Sequence, residues 1–288
     1  MRTLAVIGGS GLYEMGGFTD VERRKVRTPF GEPSDEVVCG RIGEVRVLFL
    51  PRHGVGHRYL PGEVNYRANV FALKVLGAEW LLSVGAVGSL REDVAPGHLV
   101  LPDQFLDRTR GRPSTFFGRG IVAHVAFADP VCSEFRRCVR RAAEDCGATV
   151  HDGGVYVCME GPQFSTRAES MLHRSWGGTV IGMTAVQEAK LAREAEMCFA
   201  SLSLVTDYDC WNPASGDVEI EDVLRILGEN VSLARRVVAR TAELLPAERT
   251  CPCSRALENA VVTAPEAVPP RVREELAPLL EGHGRRRR

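Results

Sequence analysis

The strongest constraint on this chain is a repeated switch of hydrophobic period. Short, β-rich apolar runs at residues 4–7, 45–50, 80–84, 98–101, 155–159, 180–183 and 198–205 alternate with helix-period stretches at 64–76, 129–146, 167–174, 185–196 and 220–244. Several of the runs are apolar throughout, as in strands covered on both faces. Strands of this kind spaced by helices predict an α/β fold: a single domain with a mixed central sheet flanked by helices. A chain of 288 residues can bury such a core without disulfides or a metal. The main domain is expected over 1–265, with 266–288 a helical extension and an arginine-rich tail.

Thirty-six basic residues nearly balance 37 acidic ones, so no global field draws in nucleic acid or an anionic membrane. A small, locally recognised ligand fits better. Nine cysteines, odd in number and scattered, do not read as a secreted disulfide framework. The N-terminus lacks a leader pattern, and no apolar run reaches the roughly 18 residues of a membrane span, so a cytoplasmic protein is expected. The run from Arg285 to Arg288 reads as a solvated end, with contact to an anionic partner as the minor reading. Residues 107–120, rich in Arg, Gly, Ser and Thr, form a long aperiodic loop of the kind that is more often functional or interfacial than idle.

Five segments could carry chemistry. Gly8-Gly9-Ser10-Gly11 follows the first strand, where glycines let N–H groups converge on an anion and Ser10 adds a hydroxyl; a plain tight turn fits equally well. Glu14 stands where a dinucleotide fingerprint needs its third glycine, and no P-loop lysine follows. Arg52-His53, ending the second run, pairs a guanidinium fork with an imidazole donor, which suits a tetrahedral oxyanion. His53 and His57 as metal ligands are disfavoured, because Arg52 repels a cation and Gly54 and Gly56 oppose the helix that would align them. In residues 160–169, Phe164 offers a face to a planar base or else packs in the core. Met183-Thr184 ends a strand where a helix begins, so Thr184 suits both an N-cap and an anion ligand. Asp207 and Asp209 follow a fully apolar strand, at the end where open α/β sheets bind ligands.

Together these segments, with Asn65-Tyr66-Arg67-Ala68-Asn69, Gly88-Ser89-Leu90-Arg91-Glu92 and Asp103-Gln104-Phe105, closely resemble the methylthioadenosine phosphorylases of the trimeric purine nucleoside phosphorylase family. The resemblance runs from about Thr3 to Leu244 and more loosely to Thr263. It implies that Ser10, Arg52, His53, Gly85, Ala86 and Thr184 hold phosphate, and that Phe164, Ser165 and Met183 line the ribose and base. His124 is then expected to reach the 5′ region of a neighbouring subunit's substrate, with Ile220 and Val223 making the 5′ pocket apolar. It also implies a homotrimer, adenine nucleoside and inorganic phosphate as partners, no metal and no organic cofactor.

Relatives that cleave 6-oxopurines carry asparagine where this chain has an Asp-x-Asp. An ionised carboxylate accepts from the exocyclic amine of adenine and repels a 6-oxo group. Asp207, its pKa raised by burial and by Asp209, is expected to protonate purine N7 as the glycosidic bond breaks. Adenosine, 5′-deoxyadenosine or a 5′-halogenated analogue as substrate, or a silent nucleotide-binding protein of the same fold, are the rival readings. Two departures stand out: Gly85 replaces a threonine beside the phosphate, and Gln187 replaces a proline. Cys251-Pro252-Cys253 resembles a C-x-C element of some thermostable relatives, and is expected as free thiols because the bridge would be strained.

Overall fold

The computed structural model describes residues 1–9, 12, 17–212 and 220–280, without the side chains of 220–225 and 227. In chain order the strands and helices are β1 (Thr3–Gly8), β2 (Thr19–Arg24), β3 (Val37–Ile42), β4 (Val45–Pro51), α1 (Tyr66–Val75), β5 (Trp80–Ser89), β6 (Leu99–Leu101) and β7 (Gln104–Arg108). There follow α2 (Ser133–Asp145), β8 (Val150–Asp152), β9 (Val155–Met159), α3 (Arg167–Ser175), β10 (Gly178–Gly182), α4 (Ala185–Glu194), β11 (Cys198–Asp207), α5 (Ile220–Leu244), α6 (Pro270–Glu275) and α7 (Ala277–Leu280).

The eleven strands among the described residues form one sheet, in the order β2-β3-β4-β1-β5-β10-β9-β7, with β11 pairing with β5 and carrying β6 and β8 beyond it. The expected mixed sheet is therefore present: β1 runs parallel to β4 and β5, β11 parallel to β5, but β10 antiparallel to β5. Strand β5 is the fork. Along one edge it pairs with β1 through residues 80–83 and then with β10 at Gly88 and Ser89, while β11 pairs with its other edge from Trp80 to Gly88.

Burial explains which strands the apolar runs foretell. Every residue of β1 is buried, as are all of β10 and all but the last of β11. β2, exposed at all six positions, and the mostly exposed β7 were not expected, because edge strands need no apolar run; nor were the three-residue β8 and the buried β3, whose apolar run is interrupted by Gly40 and Arg41. β7 also takes residues 104–108 into the sheet, so the aperiodic loop begins at Thr109 rather than at 107.

The helices start where local chemistry caps them. Asn65 accepts from the Ala68 N–H at the start of α1, and Thr166 and Glu169 form a reciprocal capping box on α3. After α5 the chain turns back over the sheet, and Val268, Val272, Leu276 and Leu279 join the main hydrophobic cluster. Arg285 to Arg288 lie outside the described residues.

Gly182 shows how tightly the sheet packs beside the fork. A methyl group there would overlap the Tyr156 hydroxyl and sit 2.7 Å from its Cζ. Gly182→Ala should lower stability in urea denaturation by about 1–3 kcal/mol, the cost of overpacking. Tyr156→Phe in the same chain should recover part of that loss, because the two sites are in contact.

Candidate active site

Arg52, Gly85, Ala86, Met183, Thr184 and Asp207 stand where β4, β5, β10 and β11 end or fork. Arg52, one residue past β4, is buried with 3% of its surface exposed. Its Nε donates to Glu188 Oε1 at 2.6 Å and its Nη2 to Glu188 Oε2 at 3.1 Å, so the fork grips a carboxylate of α4. Nη2 also donates to Ile7 O at 3.1 Å and to Ser83 Oγ at 3.0 Å, while Nη1 donates to Val84 O at 2.9 Å. The fork itself is thus taken, and the edge of the guanidinium left facing the site is Nη1. A Cβ built on Gly85 would lie 3.6 Å from that nitrogen, in ordinary contact, so a side chain could start there without displacing a neighbour.

His53 is not the donor expected. Its Nδ1 lies 2.8 Å from Tyr59 O, and a carbonyl can only accept, so Nδ1 carries the proton and Nε2 presents a lone pair. Burial, and then the neighbouring Arg52 charge, push its pKa down to about 4. The ring stacks on His57 with centroids 4.4 Å apart, in a turn where Gly54, Gly56 and His57 all have positive φ.

Thr184 is the residue before α4, and its side chain makes no capping hydrogen bond. The hydroxyl is therefore not spent on capping and stands at the start of a helix, where the N-terminal N–H groups and dipole suit an anion. Met183 packs its sulfur over Gly161, and its carbonyl accepts from Arg112 Nη1 at 2.6 Å.

A register shift between Val205 and Asp207 re-aims the end of β11, so that Asp207 pairs with Gly88. Gly88 is required: a Cβ there would lie 2.9 Å from Asp207 Oδ1. That oxygen accepts from the Asp209 N–H at 2.7 Å, and Oδ2 accepts from the Thr206 hydroxyl at 2.8 Å. Burial still raises the Asp207 pKa against these two bonds, with the Asp209 charge adding to the rise. Asp209, only 4% exposed and at φ 49°, accepts from the Ser170 hydroxyl through Oδ2. The acidic turn is pinned to the 160–169 segment by Cys210 Sγ donating to Ser165 O at 3.2 Å and Arg167 donating to Cys210 O at 3.2 Å. Phe164 is not a core residue, being 43% exposed.

Other expected positions are less tied in. Ala86 is exposed on β5. His124 is exposed on a loop, and its backbone N–H donates to Ala260 O at 2.9 Å. Ser10 lies outside the described residues, and the side chains of Ile220 and Val223 do too, although both positions fall on α5.

Residues 3–243 match the family described as the phosphorylase superfamily. Along nearly its whole length the chain is 54% identical over 276 residues to the S-methyl-5′-thioadenosine phosphorylase of Geobacter sulfurreducens, covering 96% of each chain. It is 53% identical over 273 residues to that of Koribacter versatilis, covering 95% of this chain and 94% of the relative. The chain belongs to the S-methyl-5′-thioadenosine phosphorylase family. Among solved structures it resembles a methylthioadenosine phosphorylase from an antarctic soil metagenomic library, with a TM-score of 0.93 and 46% identity over 97% of this chain and 99% of that one. It also resembles a point mutant of the adenosine/methylthioadenosine phosphorylase of Schistosoma mansoni in complex with methylthioadenosine, with a TM-score of 0.84 and 38% identity over 90% of this chain and 97% of that one.

As a member of this family, the chain holds two site-supporting residues that sequence reading missed, Glu188 and Arg112, and gives a role to Gln187, which the sequence marked only as a departure. Glu188 is fully buried against Arg52. Arg112, from the loop after β7, donates to Met183 O, to the backbone and carboxylate of Glu160 and to Tyr66 Oη at 3.2 Å. Gln187, the residue in place of a proline, donates to Thr109 Oγ1 at 2.7 Å and accepts from Arg112 at 3.4 Å, so it ties the same loop to α4. The arginine-rich aperiodic loop was the available signal for Arg112; no spacing marked Glu188.

Glu188→Ala leaves Arg52 buried and unpaired, and should cost about 3–5 kcal/mol in denaturant unfolding. His53 should titrate by NMR with a midpoint about 4 in the phosphate-free protein. Unfolded histidine takes its proton near pH ~6.5, so the unfolded chain binds more protons between that pH and the folded value. Stability should therefore fall as pH drops through this window, and less so in His53→Gln.

Proposed function

We propose that this chain uses inorganic phosphate to split S-methyl-5′-thioadenosine into adenine and 5-methylthioribose 1-phosphate. The observation that carries the reading is the meeting, at one fork of the sheet, of a desolvated carboxyl with an anion site built from a helix N-terminus, a free hydroxyl and a guanidinium edge. Identity of about half with S-methyl-5′-thioadenosine phosphorylases over almost the full length supports it.

In this reading phosphate sits on Thr184, the start of α4 and Arg52 Nη1, with Ser10, Gly85 and Ala86 as backbone or hydroxyl neighbours. Protonated Asp207 donates to purine N7 while the C1′–N9 bond breaks and its electron pair enters the ring. The second Asp209 oxygen accepts from the exocyclic amine, which selects adenine. Phe164, Ser165 and Met183 line the base and ribose.

A phosphate oxygen then closes on the cationic C1′, and its proton is taken up by the His53 Nε2 lone pair. That proton replaces the one Asp207 gave up, so the reaction closes with no net protonation of the enzyme. Positioning and charge, with phosphate as co-substrate, supply the catalysis; neither a metal nor an organic cofactor takes part in these steps.

The remaining assignments concern assembly. The protein is proposed to be a cytoplasmic homotrimer, in which His124 reaches a neighbour's 5′ region and Ile220 and Val223 form an apolar wall for the methylthio group. No helix among the described residues is long and apolar enough to cross a membrane.

Following free base from a nucleoside panel tests the reading. Phosphate-dependent adenine release should be fastest from S-methyl-5′-thioadenosine; inosine as best substrate would overturn it. Asp207→Asn should lower kcat by about two to four orders of magnitude, the range of a general acid. Because a Cβ at Gly85 fits in ordinary contact with Arg52 Nη1, Gly85→Thr should lower the KM for phosphate several-fold, in line with about 0.5–1.5 kcal/mol for one added hydrogen bond.

A further inference from the structure

At the opposite end of β11 from Asp207, four cysteines from three parts of the chain converge. Cys132 caps the start of α2, Cys198 opens β11, and Cys251 and Cys253 flank Pro252 at the short 3₁₀ turn that follows α5. All four are buried, and their Sγ atoms all lie within 4.8 Å of one another. We propose that Cys132, Cys198, Cys251 and Cys253 bind one zinc ion as a structural tetrathiolate.

The geometry favours a metal over the two ordinary uses of buried cysteine. A disulfide brings two sulfurs together and has no need of two more at the same point. Cysteines serving as small apolar groups have no reason to turn four Sγ atoms towards a common centre. A tetrahedral zinc with Zn–S bonds of about 2.3 Å sets its ligands about 3.8 Å apart. The Cys198 and Cys251 sulfurs, 3.2 Å apart, need to open only slightly to reach that spacing.

Ligand chemistry narrows the metal. Four thiolates with no oxygen ligand are soft donors, which suit zinc and exclude calcium and magnesium. Binding replaces four S–H protons with one dication, leaving a net charge of −2 on the cluster. Part of that charge is met by the Phe135 N–H, which points at Cys132 Sγ at 3.5 Å from the first turn of α2.

The position gives the ion a task. It pins the chain just after α5 to the sheet and to α2. Beyond the pin, residues 260–263 hold the segment that carries His124: Ala260 O accepts the His124 N–H, the Val262 N–H donates to Val122 O, and Thr263 Oγ1 accepts the Val122 N–H. The zinc would thus steady a loop remote from the reacting atoms and leave the proposed phosphorolysis chemistry to other residues.

The full-length protein, purified under reducing conditions, tests this by metal analysis and zinc titration. About one zinc per chain is expected, with an affinity tighter than about 1 µM and all four thiols shielded from alkylation until a chelator is added. Removing zinc should lower Tm by about 5–10 °C. Cys253→Ser should lose the metal and Cys146→Ser should keep it. Cobalt in place of zinc should give the charge-transfer bands of a tetrahedral thiolate site. Mapping thiols on the unmutated protein keeps the test decisive if Cys253→Ser fails to fold. No zinc uptake by the fully reduced protein, iron in its place, disulfides among the four after anaerobic purification, or zinc retained by Cys253→Ser would each overturn the proposal.

Discussion

The buried pair of Arg52 and Glu188 is the contact on which the site is built. Strands β1, β4 and β5 end or fork here, and a fork leaves backbone carbonyls without ladder partners. Arg52 satisfies those of Ile7 and Val84 while Glu188 balances its charge. Burying two ions is costly, and the balance is favourable only when the remaining donors are also bonded, which the Ser83 hydroxyl helps to achieve. The same contact fixes α4 against the sheet, and with it the helix N-terminus at Thr184. The guanidinium is therefore first a structural brace, and what it offers an anion is one edge rather than its fork.

Glycines set the free volume around that brace. At Gly85 a Cβ would meet Arg52 Nη1 only in ordinary contact, whereas at Gly88 the absent side chain leaves room for the Asp207 carboxylate. Both lie on β5, the strand that pairs with β1, β10 and β11. A ligand crevice opens where neighbouring strands part company, which is the general reason for sites at the carboxyl ends of such sheets. The gap along β5 between the end of β1 and the start of the β10 pairing makes that crevice here, and the register shift before Asp207 turns its carboxyl beside Gly88.

What the sequence disclosed follows from the range of each interaction. Buried strands such as β1, β9 and β11 were legible because covering both faces demands unbroken apolar runs. The continuation of β5 through Gly85 to Ser89 was not, since glycine carries no apolar signal. β2 and β7 lie at the two ends of the sheet order and carry exposed polar residues, so their pairing is decided by partners far away in sequence. Among site residues, Arg52, Thr184 and Asp207 stand directly at strand ends, where position alone marks them. Glu188 and Arg112 act through contacts 136 and 71 residues away along the chain, which no local pattern reveals. The tautomer of His53 depends on the carbonyl of Tyr59, set by a turn of positive-φ residues, and so only the folded chain shows it.

Burial acts on the two proton-handling groups in opposite senses. Desolvation disfavours whichever form is charged, so it holds the Asp207 carboxyl towards its neutral, protonated form and the His53 imidazole towards its neutral, unprotonated form. One cause thus prepares an acid and a base in the same site without any exchange between them. In the proposed reaction the acid faces the leaving purine and the base faces the phosphate, on opposite sides of the sugar. Arg52 acts on the second half of this arrangement in two opposed ways, because its fixed charge attracts the phosphate anion but lowers the basicity of the His53 imidazole that takes its proton. Neutralising Arg52 would therefore weaken phosphate binding and also raise the basicity of His53, so the two effects cannot be separated by changing that residue alone.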